Sequence, residues 1–277
     1  MLHYHRRRLL GAAAAAVGPV LVGACSASAH KEESVIEEDA GPRPRVLITG
    51  FNDWRDLEGN LFRCRDNPSC RLLLGAPHDA VPTKAPRGPL VRALLGQVDA
   101  DFFFTTLPVT WGTAVQRLDR SSFDVVIHLG LGVYDSTNKI LLERGAYNLR
   151  CAAKDASGVV GPNQKIEEGG AECLLGNGGM QLRYDALARC PPALVTSANE
   201  SETFMLVEAP ARAANTYICN ETHWSALMEC EQPGRLKAAY FIHVPYAHED
   251  DPTHEKLAAA VATLIERIVR VERNISR

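Results

Sequence analysis

Three separated segments hold residue types that acyl transfer needs. In Ala213-Ala214-Asn215-Thr216-Tyr217-Ile218-Cys219-Asn220 a cysteine stands at the expected start of a helix running on through Glu221, Trp224, Leu227 and Met228. A helix N-terminus carries partial positive charge and backbone N–H groups without intrahelical partners. Both favour a thiolate, the nucleophilic form of cysteine. Such a nucleophile requires a proton carrier and a group that orients the carrier. Candidates lie in Phe241-Ile242-His243-Val244-Pro245-Tyr246 and in Leu142-Glu143-Arg144-Gly145-Ala146-Tyr147-Asn148. On spacing alone, Glu143-Arg144 reads only as a surface ion pair.

Together these segments resemble the pyroglutamyl peptidase family, or pyrrolidone-carboxyl peptidases, whose nucleophile, base and acid lie in segments of these types and in the order Glu, Cys, His. The resemblance covers roughly residues 45 to 270, and three ordered motifs are far more specific than one. It implies a cysteine exopeptidase that removes an N-terminal pyroglutamyl residue from peptides. Cys219 would attack the amide carbonyl beyond the lactam ring. His243 would take the thiol proton and later protonate the leaving amine. Glu143 would orient His243, and backbone N–H groups near Cys219 would hold the oxyanion. No cofactor and no metal are implied.

The resemblance also places a pocket for the flat ring after the first strand. Phe51 and Trp54 take the places of two ring-lining aromatics, and Leu131 that of a residue bordering the pocket. The chain departs from the family there: Asp53 replaces a proline, and the glycines that follow in the family are missing. Asn67-Pro68-Ser69 echoes a family segment at a later position. An arginine that precedes an R-I-P-D-N type segment in the family has no recognisable counterpart; Pro162-Asn163 echoes the segment faintly.

These residues need a scaffold. Arg45–Gly50 and Asp124–Leu129 read as continuous apolar strands, Asp101–Val109 and Ala239–Val244 as further strands, and Ala193–Ser197 as another. Leu90–Leu95, Thr110–Leu118, Gln181–Cys190 and His254–Asn274 read as helices. The last carries a stripe of Leu257, Val261, Leu264, Ile265, Ile268 and Val271. Leu57–Pro89 reads as irregular and Ala152–Met180 as a glycine-rich insertion. Strands alternating with helices argue a single three-layer α/β/α domain with a parallel or mixed central sheet, the fold the resemblance also implies. Gly130-Leu131-Gly132 follows a strand, but Asp135 stands where a dinucleotide fingerprint needs its third glycine. His128 reads as a satisfied strand histidine. The His248–Glu255 run matches no recognised ligand spacing and reads as a solvated acidic loop.

Composition narrows the setting. A net charge of −3 over 277 residues, with mixed signs, gives no basic patch for nucleic acid. His5-Arg6-Arg7-Arg8 precedes an apolar, alanine-rich run to Ala24 that is short for a membrane span, so residues 1–24 read as an export signal, twin-arginine-like in Arg6-Arg7-Arg8-Leu9-Leu10. Val22-Gly23-Ala24-Cys25 resembles a lipobox, with Cys25 as the lipidated residue. Residues 25–44 read as a charged, disordered tether and 45–277 as the catalytic domain. The expected location is the periplasmic side of a bacterial membrane or the cell envelope. The eight cysteines leave seven once Cys25 is set aside, and six once Cys219 is kept as nucleophile. Three disulfides are therefore expected, a Cys64–Cys70 bridge across the Asn67-Pro68-Ser69 turn among them. Expected partners are a peptide with N-terminal pyroglutamate and, through the lipid, a membrane; a homo-oligomer is compatible with the sequence. The alternative reading is an exported lipoprotein that keeps the fold as a binding or structural module.

Overall fold

The structure, a computed structural model, describes residues 42–55, 60–74, 82–84, 87–96, 98–113, 118–133, 137–176, 178, 196–200, 205–209, 216–234, 236–246 and 253–275. All fall in the second of the two compact units into which the chain divides, Gly41–Arg277. The expected signal, Cys25, the tether up to residue 41 and the Gln181–Cys190 helix lie outside the described residues.

Strand β1 (Arg45–Phe51) is buried along all but its first residue. The chain then makes a small hairpin of β2 (Trp54–Arg55) and β3 (Leu61–Phe62), a 3₁₀ turn at Cys64–Asp66, and the short helix α1 (Pro68–Arg71). The segment expected to be irregular is thus partly structured, and the Cys64–Cys70 disulfide closes it. Asn67 caps α1 through its side-chain oxygen, which accepts from Ser69 N. Its Nδ2 donates to the carbonyls of Phe51 and Asn52, and Ser69 Oγ accepts from Phe51 N. The Asn-Pro-Ser turn therefore fixes the chain where it leaves β1.

After α2 (Pro89–Leu94) come β4 (Asp101–Leu107), β5 (Val125–Val133), β6 (Lys139–Glu143), β7 (Gly145–Tyr147), β8 (Cys173–Leu175), β9 (Thr196–Glu200), β10 (Met205–Ala209), α3 (Ile218–Cys230), β11 (Ala238–Pro245) and α4 (Thr253–Ile275). Seven strands form one sheet in the order β4-β1-β5-β11-β6-β10-β9. β4, β1, β5 and β11 are parallel; β6 runs against β11, β10 runs with β6, and β9 runs against β10. The fold is a mixed sheet flanked by helices. The strand expected at Ala193–Ser197 is described over Thr196–Glu200, with residues 193–195 outside the described residues, and β10 was not anticipated.

Because side chains alternate along a strand, each strand serves both faces. Val46, Ile48, Val125, Ile127, Leu129, Tyr240 and Ile242 pack on one side with Leu257, Val261, Leu264, Ile265 and Ile268 of α4. Leu47, Phe51, Val126 and Phe241 pack on the other with Ile218, Trp224, Ala226 and Leu227 of α3. None of the described helices is long and apolar enough to cross a membrane.

Candidate active site

His243 sits near the C-terminal end of β11, opposite Gly130 of β5 and Leu141 of β6. It follows Phe241 by two residues and so faces α3. Glu143 is the last residue of β6, and Ile140 and Leu142, in alternate places, face the other core. The antiparallel pairing of β6 with β11 brings the two together: His243 Nδ1 donates to Glu143 Oε1 at 2.8 Å. The histidine is 2% exposed and the glutamate 8%, so water screens this pair little.

Cys219 is the second residue of α3, after Tyr217 as N-cap and Ile218. It is half-buried and hydrogen-bonded to His243. With Nδ1 engaged by Glu143, the nitrogen left for the sulfur is Nε2. Burial opposes charge on His243, but hydrogen bonds to Cys219 and Glu143, and their charges, outweigh it and raise its pKa from 6.5 to about 10. His243 is therefore an imidazolium at neutral pH.

Asn220 ties α3, which carries Cys219, to the segment that follows Glu143. Its Oδ1 accepts from Tyr147 N at 2.8 Å, and its Nδ2 donates to the carbonyls of Tyr147 and Leu149. Asn148 repeats the device on the insertion, accepting from Glu167 N and donating to Glu167 O. Sequence reading assigned these asparagines to motifs without seeing that they are clamps.

Glu221, fully buried in the first turn of α3, accepts from Arg150 Nε at 2.5 Å and from Gly112 N at 2.8 Å. An uncompensated carboxylate there would oppose a thiolate two residues away; the guanidinium offsets it. No arginine in this neighbourhood was recognised from sequence, because Arg150 reaches α3 only through the tertiary fold. The start of the insertion after Arg150 is tied to the domain: Ala153 O accepts from Trp111 Nε1, Lys154 O accepts from the Tyr217 hydroxyl, and Ala156 O accepts from Arg55 Nε.

Of the expected ring-pocket residues, Phe51 is 3% exposed, its ring 6.2 Å from that of Phe241. Trp54 is half-buried and stacked on Phe62 at 4.5 Å. Leu131 is half-buried beside Val244 of β11. His128 shares a hydrogen bond of 2.6 Å with Thr49 Oγ1, and burial, then the charge of Arg120, hold it well below its ordinary pKa. His223, on α3, is lowered to about 3 by burial and by the charge of His243. Both are neutral, leaving His243 as the charged member of this histidine group.

The expectation of three disulfides is not met. Cys173 is disulfide-bonded, as are Cys64 and Cys70, but Cys151, Cys219 and Cys230 carry thiols. Cys151 N donates to Thr216 O, at the start of α3, whereas Cys230 ends that 13-residue helix. The helix separates them by about 20 Å, far beyond the roughly 7 Å limit for bridging Cα atoms. Among the described residues no group of three or more His, Cys, Asp or Glu could hold a metal ion.

A mixed-sheet α/β scaffold that offers a thiol at a helix N-terminus to a carboxylate-held imidazolium belongs to the class built for cysteine-dependent acyl transfer. No family model matches the chain. A pyrrolidone-carboxylate peptidase of Thermococcus kodakarensis is 25% identical over 226 residues, spanning 79% of this chain and 90% of the relative. The crystal structure of the pyrrolidone carboxyl peptidase of Fervidobacterium islandicum matches with a TM-score of 0.54 at 22% identity, over 82% of this chain and 99% of its own. Pyroglutamyl peptidase I of Bacillus amyloliquefaciens matches with a TM-score of 0.55 at 15% identity, over 83% and 98%. The fold is the one these peptidases share.

Proposed function

We propose that the protein is a cysteine exopeptidase that hydrolyses the amide bond after an N-terminal pyroglutamyl residue. The observation that carries this reading is the alignment of Cys219, His243 and Glu143 on the fold of the pyrrolidone carboxyl peptidases. The Cys219 thiolate attacks the amide carbonyl carbon, and backbone N–H groups at the start of α3 hold the oxyanion. His243 delivers its Nε2 proton to the departing amine, which breaks the C–N bond and leaves a thioester. Neutral His243 then takes a proton from water, the hydroxide oxygen adds to the thioester, and the thiolate leaves. Glu143 keeps the ring oriented and stabilises its charge in both halves.

Trp54 and Leu131 form the proposed walls for the flat lactam ring. Phe51, buried against Phe241, backs that wall rather than offering open surface. Turnover of pyroglutamyl-aminocoumarin by the purified protein tests the activity. Turnover is expected; a folded protein with a reactive Cys219 that is inert on every pyroglutamyl substrate would leave the binding-module reading standing.

We further propose that residues 1–24 are an export signal, that Cys25 is lipidated, and that residues 25–44 tether the 45–277 domain on the outer side of the membrane. The supports are the arginine-led apolar run, the Val22-Gly23-Ala24-Cys25 sequence and the disulfides at Cys64–Cys70 and Cys173, which persist in oxidising compartments. Mass spectrometry of the N-terminal peptide from membranes decides it. A diacylated Cys25 is expected, and an unmodified peptide starting elsewhere refutes the anchor.

A further inference from the structure

The Gly130-Leu131-Gly132 run lacks the third glycine of a dinucleotide fingerprint, and neither glycine has a positive φ. What they supply is the absence of a side chain. Both lie on the face of β5 that turns toward α3, beside β11, with His243 paired to Gly130. A Cβ at Gly132 would stand 2.2 Å from Cδ2, 2.5 Å from Cγ and 2.8 Å from Nε2 of His243. A Cβ at Gly130 would stand 2.8 Å from Cε1 and 2.9 Å from Cζ of Phe241, and 3.1 Å from Cδ2 of His243. The imidazole therefore lies across bare backbone of the neighbouring strand. Glycine in a strand interior costs stability and marks a place where another group approaches closely.

The ring has little room to yield. Its Nδ1 is held by Glu143, and the Phe241 ring centroid is 4.7 Å away. Behind Phe241 stands His223, at 5.7 Å, packed down from α3. Carbon atoms in contact sit about 3.5 Å apart or more, so a methyl at position 132 would drive the imidazole aside by roughly 1 Å. The atoms it meets include Nε2, the one that must serve the sulfur.

We propose that Gly132, and more weakly Gly130, are positioning residues for the acyl transfer: they form the floor on which His243 is aligned between Glu143 and Cys219. This rests on the exopeptidase reading for its substrate, though not for its geometry. At Gly132 the ring itself is struck. At Gly130 the first atoms struck are the far end of Phe241, so the disturbance reaches His243 at second hand.

The test uses Gly132→Ala and Gly130→Ala in the full chain. Gly132→Ala is expected to lower kcat about 10²-fold, the cost of a misplacement near 1 Å, with KM little changed. Its alkaline limb should move to lower pH, because a displaced ring loses the partners that favour its proton. Gly130→Ala is expected to cost about tenfold, with most of the loss recovered in Gly130→Ala/Phe241→Leu, which removes the atoms first struck. A purely structural role would lower the melting temperature without moving the pH profile or showing that recovery. A Gly132→Ala protein with wild-type kcat and an unmoved alkaline limb overturns the proposal. If Gly132→Ala does not fold, failure of Phe241→Leu to recover Gly130→Ala overturns it. Iodoacetamide alkylation of Cys219 separates this proposal from the substrate reading. If the wild type is inert on pyroglutamyl-aminocoumarin, alkylation at neutral pH should still be about tenfold or more slower in Gly132→Ala, and equal rates overturn the floor whatever the substrate.

Discussion

The two faces of the central sheet are made by the same strands and hold opposite contents. Under α4, β1, β5 and β11 contribute Val46, Ile48, Val125, Ile127, Leu129, Tyr240 and Ile242, nearly all hydrocarbon. Under α3 the alternate residues include Thr49, His128, Phe241 and His243, met from the helix by Thr222 and His223, all buried. One face is packed for stability. The other accepts the cost of buried polar groups, which apolar substitutes would avoid. His223 shows that cost: both ring nitrogens are buried with no hydrogen-bond partner. The difference teaches that one sheet can carry a polar site on one face because the other face supplies the cohesion.

The largest effect should come from the polar face. His243→Ala removes the proton carrier and should lower kcat by about 10³- to 10⁴-fold in aminocoumarin assays, with substrate binding retained. On the apolar face Ile265→Ala should do the reverse. It should destabilise the fold by about 2–5 kcal/mol in urea titration and leave kcat unchanged at temperatures where the protein stays folded. A large kcat loss there would break the division between faces.

Glu143→Gln keeps shape and loses charge, and should cost about 10²-fold in kcat. It should also lower the pH at which His243 loses its proton, since the Glu143 hydrogen bond and charge both raise that value. In the wild type the His243 pKa is raised by folding from 6.5 to about 10. The stabilisation it gives is complete below pH 6.5, shrinks as pH rises, and is gone beyond about 10. Melting temperature should therefore fall across that window more in the wild type than in His243→Ala, and equal slopes would remove the buried ion pair from the account. The smallest effect is expected at the proposed ring wall. Trp54→Ala loses the stack on Phe62 and should mainly raise KM, by an amount on the order of 1 kcal/mol.

How much of this could be read from the chain varies with the distance over which each feature is defined. Cys219 and His243 sit in short segments whose residue types suggest the chemistry, whereas Glu143 read as a surface ion pair on spacing alone and was singled out only by the family resemblance. Strands β1, β5 and β11 and helix α4, whose apolar patterns are local, were legible. The hairpin of Trp54–Arg55 with Leu61–Phe62, and β10, were not legible, because two- and five-residue strands are defined by their partners. The turn signal between them gave Cys64–Cys70, but cysteine arithmetic also expected Cys151 and Cys230 to be oxidised, and counting cannot see that each keeps its thiol. The Asn220 clamp, the Arg150–Glu221 pair and the glycine floor all join residues far apart in sequence. The glycines were noticed only as a failed nucleotide motif; the ring that needs their bareness lies more than a hundred residues later.

The central claim is that Cys219 is the nucleophile of a pyroglutamyl-specific hydrolase. The most direct measurement compares kcat/KM of wild type and Cys219→Ala on pyroglutamyl-aminocoumarin, with circular dichroism confirming that both are folded. The account predicts a loss of about 10⁴-fold or more, because nothing else at the start of α3 can form the acyl-enzyme. A folded Cys219→Ala protein retaining wild-type turnover would contradict it.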